Sequence, residues 1–295
     1  MSDDGSRRNT VIPEVPSLRQ KWLGDKFSLL RHEAGLSLTA ASKIADRSTA
    51  SLSRIENGLV AVPPRDVRPL LDAYQVTDRD IRETLITVAA EVQQERKGWW
   101  VEQSDSLSPS FVDLLRLEST ATSIRTFEPS LIYGLLQDEG YARYAAQSTR
   151  TWASDQELER FIATRKARQG ILKRDEPVEF HTIISEAVLH QPLGGPEIFA
   201  RQLKALLDSS ERDNITVQVL PFSDKPHPGV TGAFAILSLS RLDFVHVELM
   251  TSDVYVEDEV SVAEYSAAYD VLAELSYPPE RSRETIAGIM ESLKR

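Results

Sequence analysis

The chain has 295 residues, 41% of them hydrophobic and 27% charged, so it holds enough apolar material for packed cores, and its length predicts about two domains. It contains no cysteine, which excludes a disulfide scaffold, a thiolate nucleophile and a Cys-ligated zinc or iron–sulfur site. The formal net charge of −11 argues against nucleic acid as a whole-chain sum, but it is unevenly spread: residues 1–97 carry 15 Lys+Arg against 14 Asp+Glu, and residues 98–295 carry 19 against 31. A slightly basic N-terminal unit is therefore joined to a strongly acidic remainder, and the charge of a docking face matters more than the total.

Residues 1–16 are polar and close on Pro13-Glu14-Val15-Pro16; they read as a flexible arm in which Arg7 and Arg8 are a weak phosphate-contact signal. The start has no apolar core segment of a secretory signal. The longest uncharged stretch, Pro226–Ser240, is broken by proline and glycine and is far short of the ~20 apolar residues that span a bilayer. A cytoplasmic protein without a membrane partner is expected.

From residue 18 to 96 the apolar spacing is helical. Leu23, Phe27 and Leu30 form one stripe, Val67, Leu70, Leu71 and Tyr74 a second, and Ile81, Leu85, Val88 and Val92 a third. Ser37 and Ser48 are in place to cap two short helices, Gly35 and Asn57-Gly58 to end the helices before them, and Pro63-Pro64 to open the next. Five helices are expected, at about 18–34, 38–46, 49–57, 64–75 and 78–96. The region 98–295 reads as mixed α and β. Helices are expected at 109–126, 138–149, 155–173, 196–209 and 261–274, and strands at 178–184, 215–220, 233–239, 244–248 and 254–256. The first of these helices takes its stripe from Leu114, Leu117, Ala121 and Ile124.

The segment Ser37–Gly58 pairs two short helices across a turn near Asp46-Arg47. Its second helix has only Leu52 and Ile55 as large apolar anchors. The other face is short and polar, with Thr49, Ala50, Ser53, Arg54 and Asn57. Such a helix can enter a major groove ~12 Å wide, and Arg54 has the donor fork that suits guanine O6 and N7.

With Leu23-Gly24, Leu30-Arg31, Ala34-Gly35-Leu36-Ser37 and above all Ser53-Arg54-Ile55-Glu56-Asn57-Gly58, then Pro63, Leu71 and Tyr74, residues 23–75 resemble the lambda-repressor/Cro, or XRE, type of helix-turn-helix. The resemblance implies a five-helix lambda-repressor-like domain whose third helix reads bases of double-stranded DNA. Thr49, Ala50, Ser53 and Arg54 fall where that family contacts base edges. Ser37, Thr39, Ser48, Ser51 and Asn57 fall where it contacts phosphate. Ala40, Ala41 and Ser42 depart from the family's second helix, which predicts looser packing there.

Residues 99–290 resemble the domain of unknown function that follows this motif in many actinobacterial regulators. The likeness rests on Glu118, Phe127-Glu128-Pro129, Gly134-Leu135-Leu136-Gln137, Arg165, Arg168-Gln169, Ser185-Glu186-Ala187-Val188-Leu189 and Val217–Phe222, with Tyr133 departing from the family's usual proline. That resemblance implies an antitoxin-like regulator and a small acidic partner protein.

Other chemistry is sparse. His181, Glu186 and His190 have the spacing H-x4-E-x3-H, which is not a zincin motif; a strand histidine and a loop histidine are expected, with no metal and no cofactor. No phosphate loop or nucleophile elbow is present, so the chain is not expected to be an enzyme. The basic run Arg160, Arg165, Lys166, Arg168, Lys173 and Arg174 reads as a solvated helix face, with an inner Arg165/Arg168 pair holding carboxylates as the alternative. Trp99-Trp100 reads as packing, and Glu257-Asp258-Glu259 as a solvated turn.

The expectation is an α+β chain: an arm at 1–16, a helix-turn-helix DNA-binding domain at 17–97, and a mixed α/β domain at 98–295 that dimerises, senses a signal or binds a partner. A lone small motif neutralises few phosphates, so a homodimer on paired half-sites is expected. The alternative is an antitoxin-like interaction protein that sequesters a small partner and autoregulates its operon.

Overall fold

The computed structural model describes residues 16–95, 98–101, 107–149, 151–223 and 225–293. The expected arm lies outside the described residues except for Pro16. The chain divides after Gly98 into two compact units, a helical one and a mixed α/β one, so the class is α+β as expected.

The first unit holds α1 (Leu18–Glu33), α2 (Leu38–Ile44), α3 (Thr49–Glu56), α4 (Pro64–Ala73) and α5 (Arg79–Glu95). Local chemistry sets the boundaries. The hydroxyl oxygens of Ser17, Ser37 and Ser48 accept from the backbone N–H groups of Gln20, Ala40 and Ser51, closing the first turns of α1, α2 and α3. Gly35 at φ +68° ends α1, and the Leu36 N–H reaches back to the Arg31 carbonyl at 3.1 Å. Gly58 at φ +65° does the same for α3, with the Leu59 N–H on the Arg54 carbonyl at 2.8 Å. Leu23, Phe27, Leu52, Ile55, Val67, Leu70, Leu71, Leu85 and Val88 form the buried interior. The spacing rule overreached at one place: Ile81, in the first turn of α5, is 42% exposed, because a helix end extends past the core it packs on.

The second unit is built on a six-stranded sheet in the order β3-β2-β1-β4-β5-β6, comprising β1 (Ser123–Glu128), β2 (Glu179–Ser185), β3 (Ile215–Leu220), β4 (Phe234–Ser238), β5 (Asp243–Glu248) and β6 (Asp253–Val256). β1, β2 and β3 run parallel, and β4, β5 and β6 continue antiparallel from β1. The helices are α6 (Pro109–Thr120), α7 (Glu139–Thr149), α8 (Asp155–Arg168), α9 (Glu186–Leu189), α10 (Pro196–Ser209), α11 (Glu259–Leu275) and α12 (Pro279–Ser292). α11 covers one sheet face, where Val262, Tyr269 and Leu272 pack on Phe127, Ile183, Ile236 and Val245.

Several expectations are corrected. The helix expected to 126 stops at Thr120, and residues 123–128 form the central strand β1. Ala121 and Ile124 are fully buried, which kept the helical spacing alive, but Ile124 is buried between paired strands and not on a helix face. The helix from 155 ends at Arg168 and gives way to a 3₁₀ turn over Gln169–Leu172. α12 was not anticipated. The basic run is not a uniform solvated face: Lys166 meets Glu139 in the open, whereas Arg168 is buried against Glu118 at 2.5 Å and Arg174 donates to the carbonyls of Ser119 and Ala121. Asp258 is the N-cap of α11, accepting from the Ser261 N–H at 2.9 Å. Trp100 is buried with Val112 and Leu115, and Trp99 is 39% exposed.

Candidate nucleic-acid interface

α3 is fastened from behind. Leu52 is fully buried and Ile55 is 3% exposed. Where α1 crosses α3 the backbones nearly touch: a Cβ on Gly24 would stand 2.7 Å from the Gly58 nitrogen and the Ile55 carbonyl oxygen. The Gln20 amide donates to the Gly58 carbonyl at 2.5 Å. Glu56 accepts from Arg31 through Nε and Nη2, both at 2.8 Å, and from the Tyr74 hydroxyl at 3.2 Å. The Arg31 Nη1 donates to the Leu36 carbonyl, so one guanidinium braces the end of α1 and the end of α3 together. The hydrogen bonds and charge of Glu56 hold Arg31 above the usual guanidinium value; burial, then Glu56, pushes the Tyr74 phenol up.

The front of α3 is free. At about 100° per residue, Thr49, Ala50, Ser53, Arg54 and Asn57 occupy an arc of about 140°. Thr49, Ala50, Arg54 and Asn57 are exposed and Ser53 is half-buried. Arg54 makes no ion pair with any described residue. The Asn57 amide donates to the Ser53 carbonyl at 2.7 Å and to its hydroxyl at 3.3 Å, so it lies back along the helix. Ser51 is off this arc, beside Ile55, and half-buried. Ser37, Thr39 and Ser48 are exposed at the starts of α2 and α3.

The looser second helix is not observed. Ala41 is fully buried and Ser42 is 3% exposed; their small volume brings α2 close to α3, and the Ser42 and Thr49 hydroxyls hydrogen-bond at 3.1 Å. The turn between the two helices is made by Asp46 at φ +50°, with the Arg47 N–H on the Ser42 carbonyl at 2.8 Å. Lys43 is also exposed on α2, four residues after Thr39 and so on the same side of that helix.

The metal candidates do not converge. His181 on β2 hydrogen-bonds Gln218 at 2.7 Å, and burial lowers its pKa against the opposing effect of that bond. His190 stacks on Phe222 and stands 3.7 Å from Glu186. Among the described residues no group of three His, Cys, Asp or Glu side chains is arranged to hold a metal ion. No helix among them is long and apolar enough to cross a membrane.

A family model described as a helix-turn-helix domain matches residues 22–85, and one described as a domain of unknown function, DUF5753, matches residues 111–288. No curated protein and no solved structure matches the chain. The helix-turn-helix match points to DNA as a partner and to a DNA-binding regulator. The chain belongs to the DUF5753 family, with a helix-turn-helix domain ahead of the family domain.

Proposed function

We propose that this chain is a sequence-specific transcriptional regulator of the XRE kind that reads DNA with α3. The observation that carries the reading is the division of α3 into an anchored back and an unobstructed front: Leu52, Ile55 and Glu56 are buried, while Thr49, Ala50 and Arg54 are exposed. Short side chains let the helix backbone approach the base edges, and Arg54 supplies the one long donor fork. In this reading Thr49, Ala50, Ser53 and Arg54 contact bases, while Ser37, Thr39, Lys43, Ser48, Ser51 and Asn57 contact phosphates. One motif of this size neutralises few phosphates, so the protein acts as a homodimer on half-sites about one helical turn apart. It is a binding protein of the cytoplasm, without a catalytic step.

The test is selection of bound duplexes from a random pool, followed by Arg54→Ala on the selected site. The substitution should cost about 1–3 kcal/mol and relax one base position. An unchanged profile across base variants would refute the assignment. A second reading, an antitoxin-like protein that sequesters a partner, is supported by apolar side chains left open on the second unit: Met250 is 91% exposed, Val230 81% and Val260 72%. An acidic partner would meet an acidic unit there, so apolar contact would have to carry the affinity. Co-purification of a small protein with the chain favours this reading.

A further inference from the structure

The side chains on the front of α3 are not equally free to read a base. Ser42 donates its hydroxyl proton to the Thr39 carbonyl oxygen at 3.0 Å. The proton in the 3.1 Å contact between Ser42 and Thr49 is therefore the Thr49 hydroxyl's own. Ser42 is 3% exposed, so this bond draws the polar limb of Thr49 back toward α2. Thr49 itself is exposed, and its methyl is the limb left unengaged. Ala50, exposed beside it, offers only a methyl.

Asn57 is withheld in another way. Its Nδ2 donates to both the carbonyl and the hydroxyl oxygen of Ser53, and an amide reads adenine only by presenting its donor and its acceptor together. The Ser53 hydroxyl can donate or accept, so it suits any base edge and discriminates little. Arg54 remains: it is exposed, and its guanidinium makes no hydrogen bond or ion pair with any described residue. The discriminating chemistry of the front thus reduces to one donor fork and two methyl groups. Guanine answers the first, with acceptors at both O6 and N7; thymine answers the second, as the base that carries a methyl in the major groove. Ala50 and Arg54, four residues apart, differ by about 6 Å along the helix axis and about 40° around it. Base pairs stack every ~3.4 Å, so the two groups reach bases about two steps apart at most.

We propose that Thr49 and Ala50 read thymine: their methyls pack on the 5-methyl groups of one or two thymines lying within about two base pairs of the guanine held by Arg54. The inference rests on the reading of α3 as the helix that enters the groove, and the helix-turn-helix match over residues 22–85 points to DNA as the partner. At these two positions base choice is set by apolar contact and not by a hydrogen bond. Each half-site then carries a guanine with thymine close by, and the exocyclic methyl of that thymine, not its O4, is the group selected.

The test uses the full chain and the duplex that it selects from a random pool. Uracil is placed at each thymine of the half-site in turn, which removes the 5-methyl and keeps the pairing edge. At one or two thymines near the guanine this should weaken binding about fourfold per methyl, and elsewhere it should have no effect. 7-Deazaguanine at the guanine, which lacks the N7 acceptor, should cost at least about fivefold. Because these changes are made in the DNA, the outcome does not depend on any variant folding. The double variant Thr49→Ser, Ala50→Gly keeps the hydroxyl bond to Ser42 and lacks both methyls, so it should no longer distinguish thymine from uracil. The proposal alone is overturned if the parent binds the uracil-substituted site as tightly as the thymine site, or if the folded double variant discriminates as sharply as the parent. A pool that yields no preferred duplex overturns the DNA reading itself, and the proposal with it.

Discussion

Arg31 and Glu56, 25 positions apart, form a two-pronged ion pair inside the first unit, with side chains only 8% and 5% exposed. The pair joins the last turn of α1 to the last turn of α3, and Tyr74, just after α4, completes it. It therefore sets how α3 is presented. Removing one partner leaves the other buried and uncompensated. Arg31→Ala or Glu56→Ala should lower the stability of the first unit by about 3–5 kcal/mol, and Tyr74→Phe by about 1 kcal/mol, in urea unfolding. Losses below about 1 kcal/mol for both charge deletions would show that the pair does not hold the helices together.

Gly24 is the second fastening. An added methyl would meet backbone atoms of Ile55, Glu56 and Gly58 at under 3 Å, and backbone cannot swing aside like a side-chain tip. Gly24→Ala should push α3 outward and cost about 1–3 kcal/mol, although alanine usually favours a helix. The position of α3 should also change, so DNA affinity should fall more than for Ser28→Ala on the same helix. Equal affinity for the two variants would separate helix placement from binding.

The hydroxyl of Ser48 satisfies the Ser51 N–H at the start of α3. Ser48→Ala should destabilise by about 1 kcal/mol, and Ser48→Asp should restore stability. Because Asp puts a negative charge where a phosphate would lie, Ser48→Asp should still bind DNA poorly. Normal binding by the aspartate variant would remove Ser48 from the phosphate contacts.

Glu128 gives a pH-dependent prediction. Its folded-state pKa is raised by burial and by Glu248, so the folded chain binds the proton more tightly than the unfolded chain. Stability is then greatest below the unfolded pKa of about 4.3 and falls as pH rises toward the folded value. Glu128→Gln removes that slope. The variant should match the parent near pH 4.5 and exceed it in stability at pH 8, read as paired urea titrations. A variant less stable than the parent at pH 8 would mean that the ionised carboxylate is stabilised in the fold.

The acidic second unit should not bind DNA by itself, given 19 Lys+Arg against 31 Asp+Glu over 98–295. A salt-sensitive mobility shift of duplex by residues 98–295 alone would move the contacts to the other unit.

The five helices of the first unit and the front of α3 were legible in the sequence because what defines them is local: serine caps, left-handed glycines, a proline start and apolar spacing within one or two turns. The pairing of Arg31 with Glu56 was not legible, since each reads as an ordinary surface charge until α1 and α3 are brought together. The same divide explains β1. Ala121 and Ile124 kept helical spacing, and only pairing with Glu179–Ile184 on one side and Phe234–Ser238 on the other makes residues 123–128 a strand. The burial of Glu128 was equally illegible, because β1 becomes a central strand only when β2 and β4 pair with it. Short-range hydrogen bonding and periodicity act within a few residues and are written in the chain, whereas the burial of a charge depends on which distant elements close over it.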